Sequence, residues 1–153
     1  MRLAHNVRIS VYCKDWQDCD AIERSLTSMV PFDMELEKEN VKKTLMKAER
    51  ALESDITILE IILTKERHVN AFFKHLNEKL GAEQTSLLIK QNATRFDEEL
   101  NFFLRLDMKE LMAHQKYELT DSGECFHIRI SIAAFPKRYD TALFVLKQIF
   151  QSP

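Results

Sequence analysis

The sequence predicts an α+β fold: a largely antiparallel sheet with helices packed on one face, of split-βαβ character. Three observations predict it. Residues 5–13, 101–108 and 125–135 alternate apolar and polar side chains with period two. Between them lie stretches with apolar residues at three- and four-residue spacing. Their order is strand, helix, strands, helices, strands, helix, which leaves the second face of the sheet to solvent or a ligand. With 153 residues, 45% hydrophobic and 30% charged, the chain suits one domain over residues 1–153 that buries about 70% of its unfolded surface.

Residues 5–13 read as a half-buried strand, with Val7, Ile9, Val11 and Cys13 on one face and Arg8, Ser10 and Tyr12 on the other. A helix over about 17–30 follows, carrying Ile22, Leu26, Met29 and Val30, charged at its start by Asp15 and Asp18 and stopped by Pro31. Residues 33–39 alternate again, with Met34 and Leu36 inward, and predict a polar strand. Residues 40–55 fit either a helix or a long charged loop with extended pieces. Residues 56–65 (ITILEIILTK) are the most hydrophobic strand and are expected in the middle of the sheet.

A helix over about 66–80 buries Val69, Phe72, Phe73, Leu76 and Leu80, and Gly81 stands where a C-cap is expected. A second helix, about 83–92, carries Leu87 and Leu88. In the strand at 101–108, Phe102, Leu104 and Leu106 oppose Phe103, Arg105 and Asp107. A short connection then leads to a strand near 115–120 and a turn at TDSG, 120–123. The strand at 125–135 points Ile128, Ile130, Ile132 and Ala134 inward and His127, Arg129 and Ser131 outward, and Pro136 ends it. A last helix, about 137–151, buries Tyr139, Ala142, Leu143, Leu146, Ile149 and Phe150.

Composition removes several function classes. Gly81 and Gly123 are the only glycines, which excludes a Walker-type phosphate loop and a GxGxxG dinucleotide turn. Lys and Arg total 22 against 24 Asp and Glu, a net charge of −2, so any surface for a polyanion is a local patch. Cys13, Cys19 and Cys125 lack CxxC spacing, and free thiols in a reducing cytosol are the expectation. No signal core or membrane-length apolar run is present, so a cytoplasmic protein is expected.

Catalytic patterns are absent. The five histidines form no HxxxH or HExxH, and His68 and His75, two turns apart, are expected on a solvated flank. The pairs Asp97/Glu98 and Glu35/Glu37 lie in polar stretches that raise no pKa. Cys125 and His127 share a strand face, but nothing locates an oxyanion hole. No enzyme, cofactor or metal is indicated.

The open face is where the chemistry collects. Pooling outward residues gives Arg8, Ser10, Tyr12, Phe103, Arg105, Asp107, His127, Arg129 and Ser131, with Glu60 as a second acid. Arginine pairs bidentately with phosphate and flat rings stack on unpaired bases, which together suit single-stranded RNA. The plain alternative pairs Arg105 with Asp107 or a neighbouring carboxylate. Lys137 and Arg138 after Pro136 add a second candidate phosphate contact at the start of the last helix.

Residues 95–119 and 127–150 resemble an archaeal family of RNA-binding-domain proteins described as predicted exosome subunits. The matching positions are Arg95, Asp97, Phe103, Leu104, Arg105, Leu106, Asp107, Lys109, Ala134, Phe135, Pro136, Lys137 and Arg138. The sequence departs from the family pattern in lacking a glycine over 40–55 and in placing Met108 between Asp107 and Lys109. The resemblance implies a fold like that of the large-subunit ribosomal protein that binds five-S RNA, related to the ferredoxin-like plan, and an RNA-processing context. The expectation is therefore a non-catalytic RNA-binding or RNA-processing accessory protein, with the exosome association that the resemblance implies, meeting RNA through Arg8, Tyr12, Phe103, Arg105 and Arg129, with Lys137 and Arg138 at the edge. The competing expectation is a protein-interaction or homodimerisation module that uses the open face or an edge strand.

Overall fold

The computed structural model describes residues 2–37, 42–48 and 56–150. In chain order these form β1 (Ala4–Lys14), α1 (Cys19–Ser28), β2 (Lys42–Ala48), β3 (Ile56–Leu63), α2 (Glu66–Lys90), α3 (Asn92–Arg95), β4 (Asn101–Asp107), α4 (Met108–His114), β5 (Cys125–Ile132) and α5 (Tyr139–Ile149). The strands make one sheet in the order β2-β3-β1-β5-β4, and every neighbouring pair is antiparallel. The α+β architecture read from the sequence is the one observed.

Period-two alternation sets the layers. Val7, Ile9 and Val11 of β1, Leu59, Ile61 and Leu63 of β3, Phe102, Leu104 and Leu106 of β4, and Phe126, Ile128 and Ile130 of β5 are all buried on one face. They join a single cluster with Ile22 and Leu26 of α1, Val69, Phe72 and Leu76 of α2, and Ala142, Leu146 and Ile149 of α5. Burying a side chain of this kind is worth about 1.5–3 kcal/mol, so a one-residue slip of any strand would forfeit several such contributions.

Local signals fix the helix ends. The Asp18 carboxylate accepts the Ala21 N–H at 3.1 Å at the start of α1, and Asp107 accepts the Glu110 N–H at 2.9 Å at the start of α4. Gln115, at φ 55°, closes α4 in the left-handed region. Gly81 ends the first helical stretch with a positive φ, as its expected C-cap position implies. It is a non-helical joint at φ 80° and ψ 165° inside α2, whose two halves answer to the two helices expected at 66–80 and 83–92.

Several expectations are corrected. Residues 34–37 form a turn in place of the strand expected over 33–39: the Glu37 N–H bonds to the Asp33 carbonyl at 3.1 Å and Leu36 is exposed. Asp33 explains the change, because its carboxylate also accepts the Glu35 N–H and favours a turn over an extended chain. Residues 38 and 39 lie outside the described residues. Within 40–55, residues 42–48 are the edge strand β2, and the remainder lies outside the described residues.

Near 115–120 only an isolated bridge, Leu106 to Leu119, replaces the expected strand. The Glu118 carbonyl and Thr120 N–H bond to β4 on either side of this bridge, while the side chain of Gln84 holds the other edge of the segment, accepting from the Leu119 N–H and donating to the Tyr117 carbonyl. β3 is interior but second in the order, and β1 holds the centre. The outward isoleucines of β3, Ile56, Ile58 and Ile62, are half-buried on the open face, so its hydrophobicity does not mark the central position. The last strand stops at Ile132 and the last helix begins at Tyr139, which is exposed while Val145 takes a buried position. Residue 151 lies outside the described residues.

The histidines and cysteines are also reassigned. His68 is buried, stacked on Phe32 at 4.4 Å with Nε2 3.4 Å from a Glu37 oxygen. His75 shares a 3.0 Å hydrogen bond with the Tyr117 hydroxyl. Neither sits on a solvated flank: Phe32 and Glu37 cover His68, and Tyr117 covers His75. Cys13 and Cys19 are joined as a disulfide across the β1–α1 corner, and Cys125 is a free, buried thiol. The expectation of three free thiols fails because the corner formed by the five intervening residues returns the chain to Cα–Cα 5.7 Å.

Candidate nucleic-acid interface

Strand register arranges the open face in transverse rows. Phe103 pairs with Arg129, Arg129 with Arg8, and Arg8 with Ile62, giving one row across β4, β5, β1 and β3. The next row is Arg105, His127, Ser10 and Glu60, and Tyr12 stands opposite Ile58 beyond it. The strand phasing therefore places Arg8, Tyr12, Phe103, Arg105 and Arg129 on one side of the sheet, away from the helices. Tyr12 is 51% exposed and Phe103 39%, so both rings reach solvent.

The central pair is electrostatically unusual. Arg8 and Arg129 are direct cross-strand partners, and like charges directly opposite on a sheet destabilise it. Glu60 lies 3.8 Å from Arg8, at the limit of an ion pair. Among the described residues, no carboxylate comes within ion-pair distance of Arg105 or Arg129, and Asp107 instead caps α4. The Nε atoms of both Arg8 and Arg129 are buried without a hydrogen-bond partner. A buried unsatisfied donor costs about 1–3 kcal/mol, so the row is built at the expense of stability. The Arg8 side chain is nonetheless 41% exposed, and a planar guanidinium that reaches solvent suits bidentate phosphate contacts.

The neighbours are tuned to neutrality. Burial pushes the His127 imidazole below its ordinary pKa, and the Arg105 charge adds to the shift. Burial likewise raises the Cys125 thiol. Their 3.5 Å contact is therefore a neutral thiol beside a neutral ring, not a thiolate–imidazolium pair. Asp97 is opposed by burial, yet hydrogen bonds from the Asn101 side chain and from the Asn101 and Glu99 N–H groups, with the Arg129 charge, hold its carboxyl below the ordinary range.

A groove of about 530 Å³ adjoins the face at its β4 edge. It is lined by Phe103 and Arg105 of β4, by Gln91, Thr94 and Arg95, and by Thr120 and Asp121. Arg95 donates through Nε and Nη2 to Gln91 Oε1 at 3.1 and 2.7 Å and through Nη1 to the Phe103 carbonyl at 3.4 Å. Its Nη2 also lies 3.9 Å from the Asp121 carboxylate, while Arg105 donates to the Asp121 carbonyl at 3.4 Å. Sequence reasoning missed the groove. Arg95 and the TDSG turn were visible separately, but only the bridge at Leu119 and the α2–α3 corner bring them together.

Lys137 and Arg138 do not join the arginine row. Arg138 is turned onto Asp140 of its own helix at 3.3 Å, and Asp140 also takes the Thr141 N–H. A phosphate there would compete with a carboxylate already in place. The β4 edge is closed as well: Thr120 donates to the Arg105 carbonyl, Asp107 donates to the Glu118 carbonyl, and Arg95 covers the Phe103 carbonyl. That removes β4 from strand-addition partnerships. Among the described residues no group of three His, Cys, Asp or Glu side chains is placed to hold a metal, and no helix is long and apolar enough to cross a membrane.

Comparison with known proteins agrees with this architecture. The crystal structure of a DUF54 protein from Archaeglobus fulgidus is 20% identical, with a TM-score of 0.82, over 95% of this chain and 99% of that one. A DUF54 protein from Methanothermobacter thermautotrophicus is 22% identical, with a TM-score of 0.74, over 97% of this chain and 99% of that one. One from Sulfolobus solfataricus is 21% identical, with a TM-score of 0.70, over 94% and 98%. At these identities the likeness shows the fold. No curated protein matches the sequence. The family model described as RNA binding matches residues 6–132, from the first strand of the arginine row to the end of the last, and this chain belongs to that family.

Proposed function

We propose that this protein is a non-catalytic RNA-binding accessory protein that holds the phosphate backbone of RNA on the open face of its sheet. The observation that carries the reading is the directly opposed pair Arg8 and Arg129, whose Nε donors lack partners. An anion set between facing guanidinium groups offsets their repulsion and is bound bidentately by them. Arg105 extends the row diagonally, and Tyr12 and Phe103 offer rings for base stacking at its two sides. Lys137 and Arg138 are peripheral contacts in this reading. Membership of a family described as RNA binding supports it. Work within an RNA-processing assembly such as the exosome is the finer proposal, supported by the resemblance of residues 95–119 and 127–150.

The test is the salt dependence of affinity for a short single-stranded RNA. With three to five phosphate contacts, log K should fall against log salt with a slope of roughly −2 to −3.5. Changing both Arg8→Gln and Arg129→Gln should weaken binding and flatten the slope by about 1.4, two contacts' worth. Unchanged affinity and slope in the double variant would overturn the face assignment. A stable dimer in light scattering that ignores RNA would instead support the interaction module.

A further inference from the structure

Building on the RNA-binding reading, we infer that the groove at the β4 edge is a subsite for one unpaired guanine, recognised by Asp121 and Arg105 against the ring of Phe103. Three observations converge there. Phe103 is 39% exposed and lines the groove, where a flat base can lie against it. The Asp121 side chain is 91% exposed, so its carboxylate oxygens are open to a ligand. Arg105 uses one Nη on the Asp121 carbonyl and has no ion pair among the described residues, which leaves most of its donor fork available.

Base chemistry selects guanine from this donor and acceptor set. Guanine alone presents two adjacent donors, N1–H and the 2-amino group, to a carboxylate, while its O6 and N7 present two adjacent acceptors to a guanidinium. Adenine and cytosine would set a ring-nitrogen lone pair against Asp121, and uracil would set carbonyl oxygens on both sides of its single N–H. Arg95 is a positioning residue here. Its guanidinium is fixed by Gln91 and the Phe103 carbonyl, and from there it steadies the Asp121 carboxylate at 3.9 Å. The volume of about 530 Å³ accommodates a nucleoside. The groove adjoins the arginine row through Phe103, the cross-strand partner of Arg129, so a strand whose phosphates lie on the row can turn one base into it.

The experiment is fluorescence anisotropy with labelled ten-nucleotide RNAs: oligouridine, and the same strand with one central guanine, inosine or adenine. The guanine strand should bind about tenfold tighter than oligouridine, the lower end of what a bidentate base contact supplies. Inosine, which lacks the 2-amino group, should lose part of that gain, and adenine all of it. Asp121→Asn should erase the guanine preference, so that the guanine strand and oligouridine bind the variant alike. Equal binding of all four strands by the wild type would overturn the guanine subsite and leave RNA binding standing. An Asp121→Asn variant that keeps the full guanine preference would also overturn it. Failure of every strand to bind at low salt would overturn both readings.

Discussion

Arg129 shows how a single side chain can lower stability and be retained by the fold. Its cross-strand neighbour is Arg8, its Nε is buried without a partner, and its nearest acid, Asp97, is already held by Asn101 and Glu99. Relieving like charges across a strand pair is worth about 0.2–1 kcal/mol. Arg129→Gln should therefore raise the melting temperature at low salt by up to about 4 °C while weakening RNA binding, and the gain should shrink as salt screens the pair. A lower melting temperature would contradict the idea that Arg129 is kept for a ligand. Arg105 can be tested through its neighbour. Burial is the main cause of the low His127 pKa and Arg105 the second, so Arg105→Gln should move the NMR titration of His127 upward without restoring it fully.

The elements follow simple local rules except where one residue overrides them, and Gly81 is the clearest case. Glycine inside a helix is ordinarily replaced by alanine with a gain of about 1 kcal/mol. At φ 80° and ψ 165° the sign reverses, because this backbone region is open almost solely to glycine. A Cβ there meets nothing within 4 Å, so the cost is conformational and not steric. Gly81→Ala should destabilise the protein by about 1–3 kcal/mol in urea denaturation. A stabilised variant would mean that α2 runs straight. The joint matters for the site, since the second half of α2 delivers Gln84 to the 117–119 segment and Gln91 to Arg95.

Over the whole molecule, stability in alkali is coupled to Tyr117, which closes the core against α2. Burial raises its hydroxyl from the ordinary value to about 12. A group whose folded pKa lies above its unfolded one contributes stability that is complete below the unfolded value and is lost as pH rises toward the folded value. Unfolding free energy should accordingly fall between about pH 10 and 12. Tyr117→Phe should remove that part of the fall, measured by denaturant titration at each pH. Whole-molecule charge gives no such guide to binding, since a net charge of −2 conceals a face with three arginines in two adjacent rows.

The alternation of residues 5–13, 101–108 and 125–135 determined by itself which side chains face the core and which face outward, because a period of two admits only two phases and the apolar set chooses one. It therefore gave the arginine face residue by residue, while Asp18 marked the start of α1 by its capping chemistry and the cap at Asp107 emerged only in the structure. Strand order and cross-strand register were decided by tertiary structure, since hydrogen-bonded pairing joins residues far apart in the chain and leaves no local trace. Only that pairing put Arg8 directly against Arg129, added Ile58 and Ile62 to the open face, and brought Arg95, Phe103 and Asp121 to one groove. The turn at 34–37, the absent strand near 115–120 and the Cys13–Cys19 bond belong to the same class. In the first, Asp33 offered the backbone a better partner than a neighbouring strand; in the second, Gln84 held the far edge of a segment that meets β4 through one bridge; and in the third a tight corner returned one cysteine to the other.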